Sequence, residues 1–281
     1  MSDNRDPGRV AILAKIEDFE RQRIFDKDVE DDPPAPVLMP GVCDYKQKKL
    51  ITRIKSKIVF GMARKFLNNL IKSRALRIKD VIGVEHLDNL ESGAVITCNH
   101  FNALDTFIMQ VVYERSTCKK KRKLFRVIRE GNYTNFPGFY GKLMRNCNTL
   151  PLSSNMTALK ECFEGIDYQL KQGHLVLVYA EQSMWWNYRK PKPLKNGAFH
   201  FASKAGVPVV PIYIAQEDSE DIGEDGFPIQ EYTIFVGEPI HADTSVGFTE
   251  RCNKMMEQNY QWSKKKYEEF YKTPLTYLCD K

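Results

Sequence analysis

The 281-residue chain lacks several features that would narrow its class at once. It has no C-x-x-C pair, and its seven cysteines (Cys43, Cys98, Cys118, Cys147, Cys162, Cys252 and Cys279) are odd in number, several of them inside apolar runs. That argues against a disulfide framework and a structural zinc site, and for a reducing, cytoplasmic compartment. There is no H-x-x-x-H and no carboxylate set in a metal-ligand pattern, so no metal is expected. Neither a P-loop nor a G-x-G-x-x-G is present to cradle a nucleotide. The opening MSDNRDPGRV lacks the basic start and apolar run of a signal peptide. No stretch of about 20 residues is both apolar and uncharged, so an ordinary transmembrane helix is not expected and any membrane contact is peripheral.

Acidic residues are absent from Lys48 to Lys79, a stretch with eleven lysines and arginines. Within it Ile51, Ile54, Ile58, Met62, Phe66 and Leu70 recur at steps of three and four, which builds one apolar helical face. The expectation is a basic amphipathic helix, or two with a break near Gly61. Three readings are open for it: a surface helix packed on the domain, a helix lying on an anionic membrane surface, or a nucleic-acid binder. The net charge of +6 does not choose among them.

Residues 1–47 are polar and net acidic, with EDFERQRIFDKDVEDD followed by PPAPVLMPG. A short helix from Arg9 to Phe25 is expected, ended before the prolines, in an extension outside the core. From residue 80 the pattern alternates. VIGVEH, AVITC, LFRVIR, LVLVYA, VPVVPIYI and YTIFVGE read as strands. Helical stretches lie at about 103–115, 137–146, 155–172 and 195–205, with a polar, aromatic-rich helix at 248–272. Apolar strands separated by helices imply an α/β fold whose mostly parallel central sheet is flanked by helices. The division expected is extension 1–47, basic helix 48–79 and one domain 80–281.

In such a sheet, sites form at the carboxyl ends of strands. AVITC ends at Asn99-His100, and Asp105 follows five residues after the histidine. Imidazole suits general-base work near neutral pH, and a carboxylate at its other nitrogen fixes the tautomer. If 102–107 opens a helix, the two meet across its first turn. Asp105 also suits a helix start with no catalytic part at all. No serine or cysteine stands beside the histidine as a nucleophile, so the base would act on a substrate hydroxyl, as in acyl transfer.

Asn99 to Asp105 reads N-H-x-x-x-x-D. It is followed by VLVYAEQS and then PLKNGAFHFASKAGVPVVPIYI. These ordered blocks, over roughly residues 80–240, resemble the glycerolipid acyltransferases of the lysophosphatidic acid acyltransferase (PlsC-type) superfamily. That family shows N-H-x-x-x-x-D, F-P-E-G-T-R, K-x-G-A and V-P-[IV]-[IV]-P. The resemblance implies that His100 deprotonates an acceptor hydroxyl, that Asp105 orients it, and that acyl-CoA or acyl-carrier protein is the acyl donor and co-substrate, with no further cofactor. It implies a lysolipid acceptor, with Glu181 helping to shape its site and Lys195, Gly197 and Ala198 matching K-x-G-A. It also favours the membrane-surface reading of 48–79, on the cytoplasmic face, over nucleic-acid binding.

The departures are specific. Gln182, Ser183 and Met184 stand where the family has glycine, threonine and arginine, and CNTLPLSS offers no arginine in the second block. Guanidinium forks suit phosphate oxygens, and methionine does not. Gln182, Ser183 and Lys195 are expected beside Glu181 in the acceptor site, and Arg145, Arg189 and Lys190 are the candidates to hold an acceptor phosphate instead. Otherwise the acceptor is a glycolipid or another hydroxyl compound, or the protein binds lipid without catalysis. MWWNYRKPKP has two readings: Trp185, Trp186 and Tyr188 in the core, or at a membrane interface beside Arg189, Lys190 and Lys192. KKKRK, Lys119 to Lys123, is a solvated face or a contact for the CoA phosphates, an acidic carrier protein or anionic lipid.

Overall fold

The computed structural model describes residues 5–31 and 33–280. Residues 1–4 and 32 of the expected extension, and the last residue, 281, lie outside the described residues. Seven strands form one sheet: β1 (Arg77–Ile82), β2 (Ala94–Cys98), β3 (Leu124–Ile128), β4 (Thr149–Pro151), β5 (Leu175–Val178), β6 (Val209–Ile222) and β7 (Pro228–Val236), in the order β1-β7-β6-β2-β5-β3-β4. The block from β6 to β4 is parallel throughout. β7 returns antiparallel to β6, and β1 lies parallel to β7. The helices are α1 (Pro7–Arg21), α2 (Leu50–Lys72), α3 (Glu85–Asp88), α4 (Asp105–Arg115), α5 (Glu130–Thr134), α6 (Gly138–Asn146), α7 (Met156–Lys171), α8 (Gly197–Ala205) and α9 (Phe248–Tyr271).

The central strands are apolar on both sides because both faces are covered. Alternate residues of β2 show it: Ala94, Ile96 and Cys98 pack in one core with α4 and Leu67 of α2, while Val95 packs in the other with α7 and α8. The second core also takes Cys252 and Met255 of α9. The chain leaves β2 toward β3 on one side and leaves β5 toward β6 on the other. That places a topological switch, where such sheets open a crevice, at the carboxyl ends of β2 and β5.

Three expectations change. VIGVEH is not a strand: β1 starts earlier, at Arg77, and Glu85–Asp88 is a helical turn. Gly83, at φ +83°, ends the strand, and a Cβ there would sit 2.3 Å from the carbonyl oxygen of Val236. α2 does not break at Gly61, which is exposed with open space around it. The acidic segment does not stand apart from the core. Tyr45 is buried in the second core, and its hydroxyl donates to the Pro151 carbonyl at 2.9 Å. Leu38 and Val29 are buried as well. Residues 25–31 and 33–38 form a strap that meets the loop after β5 at Phe25 and Asp28 and the ends of β3 and β4 at Leu38, and residues 41–45 continue along α7. The short edge strand β4 carried too little apolar sequence to be read as a strand.

Candidate active site

β2 stops because its last residues turn away from the ladder, and Asn99 completes the pairing with its side chain. Asn99 Oδ1 accepts from the Ile214 amide at 2.8 Å, and its Nδ2 donates to the Ile214 carbonyl at 3.0 Å. The next residue, His100, is thereby held at the strand mouth. Asn102 Oδ1 accepts from the Leu104 amide at 2.8 Å, which shapes the turn into α4. α4 begins at Asp105, so the carboxylate is carried back to the histidine across the helix start.

His100 Nδ1 lies 2.6 Å from Asp105 Oδ2. The same oxygen accepts from the Phe101 amide at 3.2 Å, and Oδ1 accepts from the Tyr179 hydroxyl at 2.7 Å. Asp105 is buried at 1% exposure, and three donors converge on it. A carboxylate only accepts, so the proton of the imidazole sits on Nδ1 and the lone pair is on Nε2. Nε2 has no hydrogen-bond partner among the described residues, and the His100 side chain is 21% exposed. A base with its tautomer fixed thus faces the outside of the strand mouth.

Tyr179 follows β5 directly. Its ring stacks on His100 with centroids 4.1 Å apart and planes 19° apart. Burial, reinforced by the Asp105 carboxylate, pushes its phenol well above the usual range, so it remains a donor. The sequence reading missed it. The available signal was a tyrosine one step past a strand beside the one that ends at the histidine.

Glu181 lies beneath the site, 3% exposed. Its Oε2 accepts from the His100 amide at 3.2 Å, and its Oε1 accepts from the Lys192 amide at 3.0 Å. Lys192 is fully buried, with Nζ 3.5 Å from Glu181 and donating to the Ser183 carbonyl at 2.7 Å and hydroxyl at 2.8 Å. Burial raises the Glu181 carboxyl and lowers the Lys192 ammonium, against their mutual attraction. The carboxylate therefore ties the backbone of His100 to the loop that follows β5. Gln182 next to it holds a left-handed φ of +65°, where a glycine sits at ease.

The other expected acceptor residues are engaged elsewhere. The Ser183 hydroxyl donates to the Phe25 carbonyl at 2.5 Å. Arg145 donates to the Tyr133 and Phe136 carbonyls at 3.0 and 3.1 Å. Arg189 pairs with Asp218 at 2.6 Å, Lys190 with Glu20 at 2.5 Å and Lys195 with Asp26 at 2.8 Å. Glu20 and Asp26 come from the acidic segment, as does Asp28, which accepts from the Met184 amide at 2.6 Å and pairs with Arg129. Trp185 and Trp186 are buried, so the core reading holds for both. Trp185 Nε1 donates to the Lys27 carbonyl at 2.8 Å, and its ring meets Phe25 and Tyr188. Lys192, read beside them as an interface cation, is instead the buried partner of Glu181.

Among the described residues no group of His, Cys, Asp and Glu could hold a metal ion. No helix among them is long and apolar enough to cross a membrane.

Residues 80–215 match the family model described as Acyltransferase. No curated relative matches the sequence closely enough for comparison. Among solved structures, the chain is similar to the 1-acyl-sn-glycerophosphate (LPA) acyltransferase PlsC from Thermotoga maritima. The identity is 17%, the TM-score is 0.51, and the match covers 80% of this chain and 82% of that one. The α/β fold, with its mostly parallel seven-stranded sheet, is shared with that enzyme.

Proposed function

We propose that this chain, with an acyltransferase-family domain over residues 80–215, moves a fatty acyl group from acyl-CoA or acyl-carrier protein to a hydroxyl of a lysolipid acceptor at a membrane surface. The observation that carries the reading is the His100–Asp105 pair at 2.6 Å, with the second ring nitrogen open to the strand mouth. In this mechanism Nε2 takes the proton of the acceptor hydroxyl as its oxygen attacks the thioester carbonyl. The tetrahedral adduct then expels the thiolate. The imidazolium returns the proton to that sulfur, so no acyl-enzyme is needed. Asp105 holds the tautomer and stabilises the charged ring.

Membrane contact is supported by α2, where Leu50, Ile51, Ile54 and Ile58 are 69, 56, 47 and 62% exposed among lysines and arginines. Apolar residues in such an array gain from the acyl boundary and the cations gain from anionic headgroups. The acceptor headgroup has a second reading. Lys190 and Lys195 are already paired with carboxylates of the acidic segment, which favours an acceptor without a phosphomonoester.

The test is transfer by the purified protein from palmitoyl-CoA and from acyl-carrier protein to a panel of lysophospholipids and glycolipids, beside His100→Ala. Transfer that disappears in the variant supports the reading. Equal transfer by the variant, or none with any pair while vesicle binding persists, refutes it in favour of a lipid-binding protein. Strong preference for lysophosphatidic acid would sink the phosphate-free acceptor.

A further inference from the structure

A groove of about 490 Å³ runs between α2 and the amino-terminal end of β3, bordered by α4. That size lies within the range of small-molecule sites. β3 and β5 are parallel and pair from Leu124 and Leu175, as β5 does with β2 from Ala94. The groove is therefore at the opposite end of the strands from His100 and is not part of the candidate active site.

Its charge is one-sided. Arg53, Lys57, Arg64 and Lys123 line it, and no carboxylate does. Arg64 is paired with Glu114 at 3.0 Å. Arg53, Lys57 and Lys123 have no ion pair among the described residues. Burial lowers the Lys123 ammonium below the usual lysine range, and Arg53 beside it lowers it further. The Lys123 Nζ meets only a neutral oxygen, Oε1 of Gln47, at 3.1 Å. Like charges gathered without a counter-ion are stabilised by an anion that comes from outside. The walls between them are apolar, formed by Leu50, Ile54, Phe60, Tyr113 and Leu124.

Leu50 and Ile54 belong both to this wall and to the exposed stripe of α2. The groove thus opens onto the apolar surface that has no cover. Its occupant needs an anionic head for the cations and a hydrocarbon part for the walls, and it needs to come from where the stripe points.

We propose that the α2–β3 groove binds one anionic phospholipid, its phosphate held by Arg53, Lys57 and Lys123 and its first methylenes against Leu50, Ile54 and Phe60. The stripe gives non-specific attachment, and the groove adds a preference for the anionic headgroup. Membrane attachment belongs to the proposed function, but the groove itself is testable without a membrane and without turnover.

The probe is dihexanoyl phosphatidic acid, below its micelle concentration, titrated into the full chain by calorimetry. Dihexanoyl phosphatidylcholine and coenzyme A are the comparisons. Saturable binding of the phosphatidic acid is expected, at least tenfold tighter than the phosphatidylcholine. It is expected to fall at least tenfold in Arg53→Gln/Lys123→Gln, while that variant keeps the wild-type unfolding midpoint. No saturable binding, equal binding of the two lipids, or binding unchanged in the variant each overturns the proposal. Tighter binding of coenzyme A at the same site overturns it in favour of a nucleotide phosphate site. Acyl transfer in neutral mixed micelles is expected to be unchanged in the variant, so a failure of the enzyme reading and a failure of the groove are separately visible.

Discussion

Tyr179 and His100 lie face to face, their ring centroids 4.1 Å apart, while the tyrosine hydroxyl holds the carboxylate that holds the imidazole. Tyr179 thus fixes the base twice, once by stacking and once through Asp105. Its hydroxyl reaches Asp105 rather than the reacting atoms, so it is a positioning residue. Tyr179→Phe keeps the stack and loses the hydrogen bond. kcat is expected to fall about tenfold with KM little changed, because the stack and the binding surface are kept while the partner of the imidazole is loosened. Asp105→Asn is expected to cost roughly 10³–10⁴ in kcat through the wrong tautomer. Steady-state kinetics over pH 5 to 9 check both.

Among the described residues Lys192 is the one fully buried lysine, and Glu181 is its partner. Lys192→Met leaves a buried carboxylate without its charge partner, which typically costs about 3–5 kcal/mol. Adding Glu181→Gln is expected to recover part of that loss. Urea unfolding of the wild type, both single variants and the double variant would measure it. A single-variant loss below about 1 kcal/mol would mean that the pair carries little weight.

Gln182 holds its left-handed backbone without the freedom of a glycine. Gln182→Gly relieves a strain of about 1 kcal/mol and gives back part of it as unfolded-state entropy. The expected outcome is a neutral to slightly raised unfolding midpoint, where glycine in an ordinary helix interior costs about 1 kcal/mol. A clear drop would show that the Gln182 side chain holds something the backbone geometry does not reveal.

Glu130 anchors the strap. Burial acts to raise its carboxyl, but the Leu38 amide and the hydroxyls of Ser153 and Ser154 outweigh it and hold it below the usual range. A carboxyl whose folded value is depressed adds stability above its unfolded value and loses it as pH falls through the folded one. Strap protection in hydrogen exchange at residues 38–45 is therefore expected to be full at neutral pH and to fade on acidification below about pH 4.3, the ordinary glutamate value. Glu130→Gln is expected to show the faded pattern already at pH 7. Protection independent of both would place the anchor elsewhere, with Tyr45 and Gly165 the next place to look, since a Cβ on Gly165 would meet that of Tyr45 at 2.4 Å.

What was legible in the sequence was whatever repeats with a period or stands in a short local pattern. The strands β2, β3, β5, β6 and β7 and the helices α4 and α6 to α9 could be read from apolar runs and steps of three and four, and the His100–Asp105 contact from a five-residue spacing. What was not legible depended on contacts distant in sequence. Tyr179 joins Asp105 from 74 residues away. The acidic segment looks like a solvated tail because its charges are many, yet Glu20, Asp26 and Asp28 are matched to Lys190, Lys195 and Arg129 far along the chain. Lys192 reads as a surface cation in any local window, since its burial exists only once the loop after β5 closes over Glu181.

The strap also bears on the order in which the molecule forms. Tyr45 bonds Pro151 across 106 positions, and the Phe25 carbonyl receives the Ser183 hydroxyl across 158. Contacts of that separation carry a high loop-closure cost and mature late. Residues 25–45 are synthesised before the strands whose ends they cover, and have to wait until β3, β4 and β5 lie side by side. Until then Leu38, Tyr45 and the Phe25 side of Trp185 stay uncovered, and the ends of β3 and β4 lack the Glu130 and Pro151 contacts that the strap later makes.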